Sequence, residues 1–307
     1  TSVVPQPNYL TILNGKISFI GNNSFRNANY DIDSKFIDCQ GGTLLPGFHD
    51  AHIHLLAMAS RFLGLDCSPT KSSSIHQLKE LFFHRSQSIP SGKWIRGWGY
   101  EESSFVETRH PNRFDLDEVV PNNPIRLNHR SGHATVLNTL GLKQAGIARE
   151  TVEPPEGIIE RDADGEPTGL LFEMDSYLEG KIEPIPANEL KNGVQEVSQW
   201  LLSRGITTIQ DATAVNDFTR WELLNQFKKE NLLKQRLIFM LSSSTAKGIA
   251  EGQYALPRNS KHSRIGHAKI MITFTNGSMN PEQDSLNDIV SELTSKGFPV
   301  AIHAVEA

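Results

Sequence analysis

The chain has 307 residues, of which 38% are hydrophobic and 21% charged, with 30 basic and 35 acidic side chains giving a net charge of −5. Neither sign forms a long run, which argues against nucleic acid or an anionic membrane as the main partner. No apolar run approaches the roughly 20 residues that span a bilayer, and residues 1–12 lack the basic start and apolar stretch of a signal peptide, so a cytoplasmic location is expected.

In chain order, residues 9–13 read as a short strand running into Asn14-Gly15, a strong hairpin turn, and residues 16–20 continue to a second turn at Gly21-Asn22-Asn23. A third short strand is expected over residues 35–38, before Gly41-Gly42. Residues 1–46 therefore read as the N-terminal part of a small β-sandwich, too short to close a core alone. Cys39 and Cys67 form no CxxC pair, so neither a disulfide framework nor a thiolate zinc site is indicated.

After Pro46-Gly47 the pattern changes. Residues 44–54 read as a first strand. Helical spacing over 189–203 leads into Ile206-Thr-Thr-Ile209, residues 221–229 lead into a strand at 236–241, a strand follows at 269–274, and a helix at 285–295 precedes an apolar run ending at Ile302. Strands alternating with helices at this spacing imply parallel βαβ units, five strands in all. The roughly 130 residues between the first two strands are far too long for a connection. With strand patterns at 94–98 and 124–128 and an Asp164-Gly165 turn between 157–160 and 168–172, they read as an inserted α+β lobe. The expected division is 1–46 for the β-unit, 47–59 and 190–307 for the α/β part, and 60–189 for the lobe.

The chemistry concentrates at His52-Ile53-His54. Residues two apart on a strand point the same way, so two imidazoles face one point, with Asp50 beneath them. That pair suits a divalent cation such as zinc, with a nearby carboxylate orienting a ring. The plain alternative is two exposed histidines on an edge strand. Opening a βα series places the pair at the carboxyl end of the first strand, where barrel active sites sit.

Leu45-Pro-Gly-Phe-His-Asp-Ala-His-Ile-His-Leu55 resembles the first-strand metal motif of the amidohydrolase superfamily, in the branch of N-substituted formamide deformylase-like predicted metal-dependent hydrolases. Ser131-Gly-His133 followed by Asn138, the block from Gly157 to Glu173, Gly205-Ile-Thr-Thr-Ile-Gln-Asp-Ala212 and Ala301-Ile-His-Ala304 are similar to comparable stretches there, in the same order. The resemblance implies an α/β fold, a TIM-like (β/α) barrel represented by about five of its eight strands. It implies a metal-dependent hydrolase that cleaves an amide or other C–N bond of a small molecule with metal-activated water, one or two zinc ions being the expected cofactor. By position, His52 and His54 would hold the more buried metal, His303 would ligate a second, and Lys269, as a carbamate, would bridge them. Glu173 is a rival carboxylate. His133, Arg130 and Trp98 would contact substrate, although the loop after residue 128 reads equally as plain polar surface, and Trp94, Trp98 and Tyr100, which could wall a hydrophobic pocket, sit in a strand where aromatics are more often core. His267 shares parity with Lys269 and reads as a cap at that strand's entry.

Departures from the branch are Ser131, Thr275-Asn276 and Val305-Glu306, each where an aspartate is usual. The sixth-strand histidine and the eighth-strand aspartate expected as general base have no counterpart in the sequence, so the expected chain exceeds 400 residues against 307 here. A catalytically incomplete fragment or pseudoenzyme serving as a binding or assembly module is the alternative, and within enzymes a deaminase or isomerase. An open sheet edge also predicts self-association into a homo-oligomer.

Overall fold

Asn14 and Gly15 both take positive φ, 52° and 72°, which is what a tight hairpin between right-twisted strands demands. They join β1 (Tyr9–Leu13) to β2 (Lys16–Gly21), which pair antiparallel with an irregularity at Thr11/Ile12. Tyr9 stacks on Phe19 at 5.3 Å. The computed structural model describes residues 8–21, 34–154, 157–275 and 278–304, so the turn at Asn22-Asn23 and the departures at Asn276 and Val305-Glu306 lie outside the described residues. The third strand expected at residues 35–38 does not form. Those residues are irregular, with Phe36 and Ile37 exposed, and no described strand offers them a ladder. The chain divides into two compact units, residues 1–46 and 47–307.

The second unit holds two sheets. The first begins with β3 (Phe48–Ile53), which runs straight into α1 (Leu55–Leu63). Its other strands come much later: α6 (Ala187–Ser203) precedes β10 (Ile206–Asp211), α7 (Phe218–Lys229) precedes β11 (Arg236–Ser242), and α8 (Ser243–Ala250) precedes β12 (Ser263–Thr275). A short β13 (Ser278–Asn280) folds back on β12, and α9 (Gln283–Ser295) leads to β14 (Val300–Ala304). The order β3-β10-β11-β12-β14 is parallel throughout. Helical spacing in α6 sends Val194, Val197 and Leu201 onto Ile209, Leu237, Phe239 and Leu241, all nearly solvent-free. Each such side chain contributes roughly 1.5–3 kcal/mol by leaving water. Gly193 is what lets α6 approach α1, since a Cβ there would stand 2.7 Å from the Ala59 carbonyl.

The second sheet is built from β4 (Leu65–Asp66), α2 (Ile75–Ser86), β5 (Ile95–Tyr100), α3 (Arg113–Asp117), β6 (Ile125–His129), β7 (Ala134–Leu137), α4 (Thr139–Ala145), β8 (Ile158–Arg161), β9 (Pro167–Phe172) and α5 (Asp175–Leu178). Its order is β4-β5-β6-β7-β9-β8, parallel through β6 and antiparallel thereafter. One core, with Leu78, Phe82, Tyr100 and Leu127, and a second, with Trp94, Leu137, Leu142 and Leu171, accompany it. Asn138, fully buried, is the knot between them. Its Oδ1 accepts from Gly141 N and Ile125 N, both at 2.9 Å, while its Nδ2 donates to Asn123 O at 2.9 Å.

Candidate active site

Extended backbone through β3 carries His52 and His54 to the carboxyl end of the strand, on one side of it. Their ring centroids lie 5.2 Å apart. From the far side of the sheet, β14 brings the His303 ring to 5.1 Å from that of His52. Between them on β12, Lys269 stands in register with Ser242 on one flank and Ala301 on the other, only 3% exposed. Its Nζ lies 3.4 Å from His303 Nδ1. Four groups from three strands, 251 residues apart at the extremes (303 − 52), are thus gathered at one place.

The electrostatics follow from crowding. Burial lowers the pKa of His52, and the Lys269 ammonium and His54 push the same way against Asp50 and Asp211. Burial also lowers His54, opposed by Asp211, and lowers His303, assisted by Lys269 and His52. Lys269 itself is lowered by burial. Every shift favours the neutral base, so the imidazole lone pairs are free to bind a cation.

The ends of the strands are held by a carboxylate that sequence reading left without a role. Asp211, at the end of β10 and 1% exposed, accepts from Leu55 N at 2.9 Å with Oδ2 and from Thr213 N at 3.1 Å and Asn216 Nδ2 at 2.8 Å with Oδ1. Asn216 Nδ2 also donates to Met240 O at 3.0 Å, and Asn216 O accepts from Ser242 N at 2.8 Å. Because no side chain caps α1 locally, Asp211 supplies the acceptor at its first residue, where negative charge also complements the helix dipole. His54 Nδ1 meets Thr213 Oγ1 at 3.3 Å, which turns that ring from the same loop. The signal in the sequence was the polar Gln210-Asp211 closing the strand that begins Ile206-Thr-Thr-Ile209.

The remaining candidates lie elsewhere. His133 Nδ1 and Glu173 Oε1 are 2.7 Å apart, both half exposed, and Glu173 holds a left-handed φ of 51°. Glu173 is therefore a partner of His133. Arg130 Nη1 donates to Glu101 Oε2 at 2.8 Å. Trp98, half-buried, lies under the Arg61 guanidinium at 5.5 Å. Among the described residues, no hydrogen bond, ion pair or ring contact joins His133, Arg130 or Trp98 to the histidine cluster. His267 is not at a strand entry: β12 begins at Ser263, and His267 Nδ1 lies 3.2 Å from Gln210 Nε2. The strand starts early because the parallel register with β11 engages from Ser263 onward.

The donor set fits a borderline-soft divalent ion by chemistry: neutral imidazoles and an amine, and among the described residues no carboxylate is hydrogen-bonded to a ring nitrogen of the three histidines or to the Lys269 amine. Two rings sharing one zinc through nitrogens at 2.0–2.1 Å place their centroids about 5 Å apart, the spacing seen here. Among the described residues, however, no group of three or more His, Cys, Asp and Glu side chains is arranged to hold an ion as it stands. No helix among them is long and apolar enough to cross a membrane.

Comparison with known proteins places the chain among relatives. The N-substituted formamide deformylase of Arthrobacter pascens is 38% identical over 164 residues, covering 53% of this chain and 30% of that protein. YtcJ of Bacillus subtilis (strain 168) is 26% identical over 89% of this chain and 55% of its own. An uncharacterised metal-dependent hydrolase from Pyrococcus horikoshii OT3 superposes with a TM-score of 0.61 at 18% identity, over 85% of this chain and 53% of that one, which shows a shared fold. The chain thus spans about half or less of the length of these relatives. The amidohydrolase family model matches residues 35–307, so the chain belongs to the amidohydrolase family.

Proposed function

We propose that this chain carries the metal-binding part of a hydrolase acting on amide-type C–N bonds of small molecules. The observation that carries the reading is the convergence of His52, His54, His303 and Lys269 at the carboxyl ends of parallel strands, all biased to their neutral forms. His52, His54 and His303 would hold a divalent ion, zinc being the first candidate, and Lys269 would join them as a carbamate. A free ammonium repels cations, whereas a carbamate is an anion with two oxygens. When bound, such an ion supplies a water whose pKa falls towards neutrality and polarises a carbonyl.

The chain's own residues would do the positioning. Asp211 would fix the start of α1 and Thr213 would orient the His54 ring, which limits how far that imidazole turns when an ion binds. His133, Arg130 and Trp98 are proposed to contact substrate from residues 60–189, an inserted lobe, with 47–59 and 190–307 forming the barrel part. The substrate class rests on the name of the Arthrobacter relative, whose substrates are N-substituted formamides.

Metal analysis of the purified chain tests the reading. The expected result is at least one equivalent of zinc in the wild type, and little in His52→Ala or His303→Ala folded to the wild-type circular dichroism spectrum. A wild type that binds none from a zinc-supplemented medium would sink it.

A further inference from the structure

The connections that lead each helix back into the first sheet are basic, although no run of charge in the sequence announces it. Arg204 precedes β10, Lys229 and Lys234 precede β11, Arg258 and Lys261 precede β12, and Lys296 precedes β14, all of them exposed. Because these strands are parallel, the connections lie together at the amino ends of the strands, opposite the end that carries the histidine cluster. The acids of the same connections are already neutralised, Glu230 by Lys191 at 2.8 Å and Glu251 by Lys247 at 3.7 Å. Among the described residues none of the six cations has a carboxylate at ion-pair distance, and Arg204 instead lies over the Trp200 ring. Like charges gathered without counter-charge repel, and an external anionic group relieves them.

The second sheet carries the opposite charge along its β8 edge. Glu150, Glu153, Glu160, Asp162, Asp164 and Glu166 gather there against one exposed base, Arg149, and none of the six has an ion-pair partner among the described residues. The strand's own base, Arg161, is spent on backbone: its guanidinium donates to the carbonyls of Arg149 and Thr151 at 2.9 and 2.8 Å, which lays that segment along β8. Glu153 Oε1 accepts from Ile159 N at 2.9 Å, so at that amide the edge is closed to a further strand and what it offers is side chains. Amid the acids, Val152 is 85% and Ile158 56% exposed, and Leu202 and Leu256 are likewise exposed in the basic connections. Each surface thus combines free aliphatic side chains with charge of a single sign.

We propose that these two surfaces bind each other between copies of this chain, the acidic β8 edge of one copy docking on the basic amino-terminal end of the first sheet of the next. The net charge of −5 disfavours a free polyanion as the occupant, whereas the β8 edge supplies the complementary charge as part of the same fold. Among the described residues no ion pair joins the two surfaces within one copy, so both remain available to a neighbour. The contact is heterologous: a pair of copies joined this way still presents one free surface of each kind, so assembly continues past the dimer unless the rotation closes a ring. It uses neither the open edges of the first sheet nor the histidine cluster.

Sedimentation velocity of the intact chain, at concentrations up to about 0.1 mM, tests this. Self-association is expected at about 0.03 M salt and should weaken at least tenfold at about 0.5 M, where the charges are screened. Two charge reversals locate the contact. One is Glu150→Lys with Asp164→Lys and Glu166→Lys, the other Lys229→Glu with Lys234→Glu and Lys261→Glu; none of these side chains makes a hydrogen bond or ion pair among the described residues, so both variants are expected to keep the wild-type circular dichroism spectrum. Each variant alone is expected to be monomeric. Their equimolar mixture is expected to associate within threefold of the wild-type affinity, because the reversed edge of one meets the reversed end of the other. If one variant does not fold, the other, added in excess to the wild type, should stop growth at a one-to-one pair. A wild type that stays monomeric at low salt, association that survives either reversal, a mixture that stays monomeric, or binding to duplex DNA or anionic vesicles without self-association would each overturn the proposal.

Discussion

At the scale of single residues, Asp211 shows how the end of the sheet that carries the histidine cluster is held. One buried carboxylate satisfies an amide at the start of α1, an amide of its own turn and the side chain of Asn216. Removing it strands three donors in a dry environment, each worth about 1–3 kcal/mol when unpaired. Partial relaxation and water entry will soften this, so Asp211→Ala is expected to destabilise the fold by about 2–4 kcal/mol in urea unfolding. Combined with Asn216→Ala, the loss should be clearly less than the sum of the two single losses, because both remove the same bond. Strict additivity would show that the two side chains act independently. His52 and His54 were legible from sequence because their spacing is the strand period itself. The role of Asp211 was not, since its partner Leu55 lies 156 residues away and is brought to it by the pairing of β3 with β10, which the polar end of the strand does not announce.

At the scale of elements, the helix–strand alternation from residue 187 onward was readable because each helix buries one face at helical spacing and each following strand is β-branched or aliphatic. Where the pattern failed, a tertiary partner decided. Residues 35–38 end at a Gly-Gly turn like a strand but find no ladder among the described residues, whereas Ser243–Ala250 is a helix because Ser242 caps it through Thr245 N and Ala246 packs inward. Ala134–Leu137 is buried on both faces, so no alternation marked it as a strand. The α1–α6 contact yields a test of the same kind. Alanine at an exposed helical glycine gains about 1 kcal/mol of propensity, but at Gly193 the new Cβ would stand 2.7 Å from Ala59 O and 2.9 Å from Leu63 Cγ. The backbone oxygen cannot yield cheaply, and overpacking costs about 1–3 kcal/mol. Gly193→Ala is therefore expected to lower the unfolding midpoint, and a rise would show that α6 can move off α1 at no cost.

At the scale of the whole molecule, burial of imidazoles couples stability to acidity. His110 is the member of this set that lies apart from the histidine cluster, in the connection before α3 and against the second sheet at Tyr100. Its Nδ1 lies 2.9 Å from the Tyr100 hydroxyl and 3.8 Å from Glu102 Oε2, with the His129 ring at 5.9 Å. Burial lowers its pKa below the ordinary 6.5, Glu102 and Glu160 opposing and His129 assisting. Above 6.5 both folded and unfolded chains hold it neutral, and it contributes no pH dependence. As pH falls through 6.5 the unfolded chain takes up a proton that the folded chain refuses, so stability declines, and the decline ends only below the depressed folded value. The shift drawn from a partly solvated ring is modest, and the sign is the testable content. Urea midpoints in EDTA should fall between pH 7.5 and 5.5, and in His110→Gln, which keeps a polar partner for Tyr100, the fall should be smaller. The residual fall belongs to His52, His54 and His303, whose pKa values burial lowers in the same direction. An identical fall in wild type and variant would mean that the His110 ring charges as easily in the folded chain as in water, and that the second sheet admits solvent at Tyr100.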